Sequence, residues 1–167
     1  ISLQVIVISS MLPVFVSLLS SNNNFETFEI PLTWQVPSII TITLIFNGEI
    51  VLMAFSIYLI IGIFFIPVFH QGGSLGYLLT PNFGYLLGTY PLIKIIDKLN
   101  NKKQKIPYYE FIKAGVLGIS TMHVIGIIYS LIQVIYFNQT DTFLYNISNF
   151  SIGKYLYHWL MLTPITL

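Results

Sequence analysis

The 167-residue sequence contains no cysteine and no arginine. The lack of thiols excludes disulfide bonds, thiol catalysis, iron–sulfur clusters and zinc sites with cysteine ligands. Seven lysines are the only strongly basic side chains, and a net charge of +1 gives no basic surface for a nucleic acid. No G-x-x-x-x-G-K-[ST] motif occurs, so we expect no ATP binding through a P-loop in this chain.

Charged residues are scarce as well, at 8% of the chain, against 55% hydrophobic residues and a mean hydropathy of +0.80. That leaves too little polar side-chain surface to cover a soluble globule, so the composition predicts an all-α integral membrane protein. The three histidines are far apart in sequence, with no carboxylate beside them in a metal-ligand pattern. We therefore expect no metal, no cofactor and no enzymatic site.

Apolar segments predict six transmembrane helices in a single domain, 1–167. The helices are expected at 1–20, at 37–46, from a turn at 47–49 to 65, at 83–96, at 106–137 and from 153 onward. A signal peptide is the alternative for the first segment, but a basic n-region is missing. The last segment is still apolar at Leu167, so we expect it to be truncated.

Lysine placement predicts the topology. Five of the seven lysines fall between Lys94 and Lys105, and the positive-inside rule makes this connector cytoplasmic. Counting crossings from it places the loops at 21–37, 66–82 and 138–151 outside, with both termini inside. Three polar loops on one face suit a receptor for an external solute.

The segment joining the third and fourth helices is rich in glycine. Gly72, Gly73 and Gly76 lie between Pro67 and Pro81, in a sequence that cannot continue a helix. Irregular backbone at a membrane face is tolerated where protein buries it or where it lines a cavity. The sequence therefore predicts an ordered loop that holds a ligand.

Four motifs in order carry a resemblance to a known family. They are PLTWQVP at 31–37, YLIIG at 58–62, IPVFHQGG at 66–73 and YLLTPNFGYLLG at 77–88. Together they resemble the BioY family, the biotin-binding S components of energy-coupling-factor (ECF) transporters. The resemblance implies an S-component-like bundle with a biotin pocket near the outer surface. It also implies a lipid-embedded protein in the cell membrane, or alternatively a plastid membrane, that docks on a transmembrane coupling protein and an ATPase pair.

A biotin site needs aromatic walls for the bicycle, oriented polar groups for the ureido moiety and a donor for the carboxylate. Close backbone approach is expected from the three loop glycines and wall area from tyrosines; the candidates are Gly72, Gly73, Gly76, Tyr77 and Tyr85, with Trp34 and Gln35 across the cavity. The alternative is that the glycines permit turns and helix contacts, while the tyrosines form an interfacial belt.

Two further candidates are ionisable. His123 lies near mid-depth of the fifth helix, where an ionisable residue is a functional candidate. Its alternative role is a neutral imidazole that fastens two helices. In helix six the resemblance implies an acid after Gly153, but Lys154 occupies that position. Lys154 is expected either to bind the ligand carboxylate or to extend to the interface.

Three assignments stay open. The resemblance implies small residues spaced by four in the first helix as the docking site, for which Ser17 and Ser21 are the candidates. The ligand could be another small vitamin. A structural subunit of a respiratory complex is a third reading, with His123 and His158 bracketing a haem.

Overall fold

The computed structural model describes residues 1–19, 25–70, 72–100 and 108–137. Its elements are α1 (Ser2–Met11), β1 (Pro13–Leu19), β2 (Phe25–Thr33), α2 (Gln35–Ile45), α3 (Gly48–Phe64), a 3₁₀ helix (Leu75–Leu79), α4 (Pro81–Asn100) and α5 (Tyr108–Phe137). The predicted all-α architecture is confirmed in its helical character, and β1 and β2 are the exception. The predicted loop at 138–151 and the sixth helix lie outside the described residues.

The prediction of one helix over 1–20 is wrong. α1 ends at Met11, and Leu12 is extended, with φ −85° and ψ 109°. Pro13 explains this end, because proline lacks an N–H and pushes the residue before it out of the helical region. The β-branched residues that follow, Val14 and Val16, favour a strand.

A β hairpin replaces the solvent loop that the sequence predicted between the first two helices. β1 and β2 are antiparallel, with a register running from Pro13 opposite Thr33 to Leu19 opposite Phe25. The Trp34 N–H donates to the Leu12 carbonyl at 3.2 Å and closes the base of the hairpin. Ser17, the docking candidate of a first helix, therefore lies in a strand.

The turn between α2 and α3 is fixed to the end of α4. Asn47 caps α3, its side-chain oxygen accepting from the Glu49 N–H at 3.0 Å. The Gly48 N–H donates to Asp97 Oδ1 at 2.7 Å. A carboxylate at the N-terminus of a helix satisfies a donor that has no partner within the helix, and it interacts favourably with the helix dipole.

The α3–α4 loop, defined here as residues 65–80, lies at the opposite end of the bundle from the lysines of α4. α3 starts beside Asp97 and runs 17 residues away from it, and α4 returns over 20 residues. At 1.5 Å per residue these helices separate their two ends by about 25–30 Å. Lys94 and Lys98 are thus far from the loop, as the predicted topology requires.

One helix of the described ranges, α5, is long and apolar enough over Tyr109–Tyr136 to cross a membrane, with a mean hydropathy of 1.8. The helices α1, α2 and α3 are apolar but shorter. α4 carries Lys94, Asp97 and Lys98 in its second half. The count of six spans and the cytoplasmic termini stay predictions.

Glycines allow α4 and α5 to pack closely. A Cβ atom added to Gly88 would lie 2.6 Å from the Met122 carbonyl oxygen, and one added to Gly126 would lie 2.7 Å from the ring of Tyr85. Small residues at such contacts are typical of helix pairs in membranes. Among the described helices, α4 also contacts α2 and α3, and α1 contacts α2 and α3.

Candidate ligand-binding site

The α3–α4 loop has the ordered irregular backbone that its glycines and prolines predict. Phe69 and Gly72 exchange two backbone hydrogen bonds, at 2.9 and 3.0 Å, and the Ser74 N–H donates to the Gly62 carbonyl at 2.9 Å. Gly72 has a φ of 137° and Ser74 a φ of 82°. Glycine adopts positive φ without steric cost, whereas a serine does so only when its surroundings impose it.

Aromatic rings connect this loop to the core of α3. The Tyr58 and Phe69 rings meet edge to face with centroids 5.2 Å apart, and Phe69 lies 4.6 Å from Tyr77. All three side chains are at least 92% buried. Phe69 lies directly on Gly62, in the space that a larger residue would fill. The loop therefore carries two aromatic side chains inward, with Phe69 packed against the second half of α3.

Beside these rings, polar side chains from three helices meet inside the bundle. Tyr58 of α3 lies next to Ser10 of α1 and Gln35 of α2. The Tyr58 hydroxyl and Gln35 Nε2 are nevertheless buried without reaching hydrogen-bond geometry with any group in the described ranges. Buried polar atoms are nearly always paired, and leaving one unpaired costs about 1–3 kcal/mol. Two such atoms side by side indicate a place for a polar ligand or for water.

Tyr77 belongs to the same region. Its hydroxyl donates to the His70 carbonyl over a long 3.4 Å. Burial raises the pKa of Tyr77, and the neighbouring Tyr58 raises it further. The phenol therefore stays neutral at physiological pH and retains a proton to donate.

Of the other predicted residues on this face, Trp34 immediately precedes α2 and is 41% exposed. Gln35 is the first residue of α2, and its amide reaches the Tyr58 side chain. The structure thus brings the predicted candidates Gln35 and Tyr77 together around Tyr58. Trp34 lies at the exposed edge of this group.

The three loop glycines differ in what surrounds them. A Cβ atom on Gly73 would lie 2.5 Å from Pro67 Cα and 2.8 Å from the Gly62 carbonyl oxygen, so the fold itself requires glycine there. Gly76 is exposed, and a Cβ atom added to it would lie 3.7 Å from Ser74 Oγ, the nearest group. Gly72 has open space beside its Cα. The packing interpretation is sufficient for Gly73, whereas Gly72 leaves room for another molecule to approach.

Tyr85 and His123 meet at the α4–α5 interface. Their rings lie edge to face, with centroids 5.4 Å apart and an interplanar angle of 79°. His123 is 5% exposed. This arrangement matches the alternative role of His123, a side chain that packs two helices together. Lys154 lies outside the described residues.

Sequence reasoning missed Tyr58 and Ser10 as site residues. Tyr58 opens the YLIIG motif and is a lone phenol within the apolar helix α3. Ser10, fully buried, is one of four polar residues in α1. The sequence could have indicated each residue by a hydroxyl within an apolar segment. The side chains that surround each hydroxyl come from other helices, and the sequence does not show which ones they are.

The sequence model of the BioY family matches residues 2–163, which is nearly the whole chain. The chain belongs to the BioY family. A curated BioY relative, the probable biotin transporter BioY of Lysinibacillus sphaericus, is 27% identical over 100 residues. That match covers 60% of this chain and 51% of the relative, so the chain spans about half the length of the curated relative it matches.

The BioY fold is also supported by a solved structure. The 2.1 Å crystal structure of the S-component for biotin from an ECF-type ABC transporter matches with a TM-score of 0.64 and 15% identity. The match covers 99% of this chain and 85% of that one. At this identity the likeness establishes the fold alone. The predicted BioY membership is confirmed. It does not favour the two alternative readings, a structural subunit of a respiratory complex and an S component for another vitamin.

Proposed function

We propose that this chain is the biotin-binding S component of an ECF-type transporter in the cell membrane. The observation that carries the proposal is a pair of buried donors without a well-formed hydrogen bond in the described ranges, the Tyr58 hydroxyl and Gln35 Nε2, beside the inward-facing rings of the α3–α4 loop. Family membership and the S-component fold support the same function.

The chemistry of the pair suits a cyclic urea. A ureido carbonyl oxygen has two lone pairs, and Tyr58 and Gln35 each present one donor from adjacent positions. Phe69 and Tyr77 supply apolar and aromatic surface against which a fused bicycle can pack. Biotin combines these two features. Open space beside Gly72 allows backbone contact, and Lys154 is the proposed partner of the valerate carboxylate.

Active uptake requires other subunits, because the sequence contains no P-loop. We propose that a transmembrane coupling protein and an ATPase pair dock on the cytoplasmic face and supply the energy. In this arrangement both termini and the lysine-rich connector are cytoplasmic, and the α3–α4 loop faces the exterior.

Equilibrium binding of radiolabelled biotin to the purified chain tests the proposal. We expect saturable binding with a dissociation constant in the nanomolar range, displaced by unlabelled biotin and not by riboflavin or thiamine. Displacement by another vitamin would change the ligand but keep the S-component function. Absence of any retained vitamin, with the protein folded by circular dichroism, would overturn the proposal.

A further inference from the structure

A single backbone carbonyl joins the α3–α4 loop to α5. The Leu78 carbonyl lies at the end of the 3₁₀ helix, where carbonyl groups have no partner within the helix. It accepts a hydrogen bond from the Tyr129 hydroxyl and a longer one, at 3.5 Å, from Gln133 Nε2. The Gln133 amide also lies within hydrogen-bonding reach of the Tyr129 hydroxyl.

Packing fixes the Tyr129 ring independently of its hydroxyl. The ring lies 5.9 Å from Phe83, centroid to centroid, at an interplanar angle of 62°. It also lies against Gly84, where an added Cβ atom would be 2.9 Å from Tyr129 Cγ. Replacing this tyrosine with phenylalanine therefore removes the contact with Leu78 and leaves the ring in place.

The other half of the loop is held from α1. The Ser10 hydroxyl lies 2.9 Å from the Val68 carbonyl and 2.7 Å from the carbonyl of Val7 in its own helix. Between Val68 and Leu78 the loop carries Phe69, whose ring meets Tyr58, and Tyr77, whose ring packs on Phe69. Releasing the Leu78 carbonyl would free the half of the loop nearer α4 and let Tyr77 move away from the site.

We propose that Tyr129 and Gln133 are positioning residues that hold the α3–α4 loop closed over the site, and that breaking their contact with Leu78 admits and releases the ligand. The proposal rests on the proposed function for the identity of that ligand. It assigns to α5 a role in the rate of exchange rather than in contact with biotin.

The first test needs no ligand. The chain has no native cysteine, so Leu78→Cys introduces a single thiol while keeping the backbone carbonyl. In this background we expect Tyr129→Phe to raise the rate of maleimide labelling about 5-fold, the effect of losing one hydrogen bond. Gln133→Met should give a smaller increase, because its contact is longer. Tyr136→Phe is the matched control, since Tyr136 is 80% exposed on the same helix.

Biotin exchange provides the second test. If the loop must open both for biotin to enter and for biotin to leave, Tyr129→Phe raises the association and dissociation rates together. The dissociation constant then changes less than either rate. A variant that only damaged the fold would dissociate faster without associating faster. Unchanged labelling in Tyr129→Phe would overturn the proposal. Faster labelling in a protein that retains no biotin would keep the loop contact and overturn the proposed ligand.

Discussion

At the scale of single residues, Tyr58 combines a structural cost with a proposed role in binding. It is fully buried in α3, and its hydroxyl lies beside Ser10 and Gln35 without a hydrogen bond of good geometry in the described ranges. A buried polar atom without a partner destabilises the protein until a partner arrives. A residue of this kind is expected at a site that evolved to bind a polar group rather than for stability.

Tyr58→Phe should therefore separate stability from binding. We expect the melting temperature of the ligand-free protein to stay constant or rise, because the buried hydroxyl is removed. We expect biotin affinity to fall about 10-fold, because the ligand loses a hydrogen bond in a buried site. Equilibrium binding and thermal unfolding measure the two effects. Tyr136→Phe is the control, and equal affinity in both variants would contradict the role given to Tyr58.

Gly73 and Gly76 provide a matched pair of glycine substitutions. Gly73→Ala places a methyl group against Pro67 and the Gly62 carbonyl, so we expect a loss of about 1–3 kcal/mol in stability. Gly76→Ala meets only Ser74 Oγ, at an ordinary contact distance of 3.7 Å, and should be neutral. Membrane accumulation and melting temperature of the purified variants distinguish them. Similar behaviour of the two variants would show that Gly73 does not pack against Pro67 and the Gly62 carbonyl as described.

At the scale of elements, one hydrogen bond joins the start of α3 to the second half of α4. We expect Asp97→Ala to destabilise the protein by about 1 kcal/mol, because Gly48 loses its acceptor and α3 loses a negative charge at its N-terminus. Lys98→Ala, an exposed neighbour, should have little effect. Thermal unfolding compares them. An equal or larger loss in Lys98→Ala would mean that the contact between Asp97 and Gly48 does not stabilise α3.

Elements that end at local sequence signals were predicted, and the hairpin, which depends on pairing between two separate segments, was not. α3, α4 and α5 were predicted because long apolar segments end at local signals such as the Asn47 turn and the lysines near Lys98. The hairpin was missed because β1 is as apolar as a membrane-spanning helix. Only Pro13, Val14 and Val16 indicate a strand there. Its partner strand is a separate segment, so the pairing is not a local property.

The site was partly predictable for the same reason. Gln35 and Tyr77 lie in segments whose composition marks them as loops or helix starts, and both were predicted. Tyr58 is the only phenol in the mainly apolar helix α3, and its neighbours come from α1 and α2. Contacts between helices are set by packing, which the order of residues along one helix does not reveal.

At the scale of the whole molecule, the α3–α4 loop and the lysine-bearing end of α4 should lie on opposite sides of the membrane. Single cysteines at exposed positions test this: Gly76→Cys in the loop and Lys98→Cys in α4. We expect an impermeant maleimide to label the first in right-side-out vesicles and the second in inverted vesicles. The unmodified chain, which has no thiol, is the blank. Labelling of both from one side would contradict the proposed topology.

Transport should likewise depend on the complete assembly. We expect no ATP-driven biotin uptake by this chain alone in proteoliposomes, and uptake once the coupling protein and ATPase pair are included. The Tyr58→Phe variant in the same assembly should lower uptake at limiting biotin. ATP-driven accumulation by the isolated polypeptide would contradict the need for partners.

The closed base of the β hairpin has a practical consequence for imaging a 19.0 kDa protein. The hydrogen bond from Trp34 to Leu12 and the strand register hold the two strands at the end nearest the helices. An antibody epitope grafted between Leu19 and Phe25 is therefore remote from the junctions with α1 and α2. A bound Fab fragment there would add the mass and shape that particle alignment in electron cryomicroscopy requires.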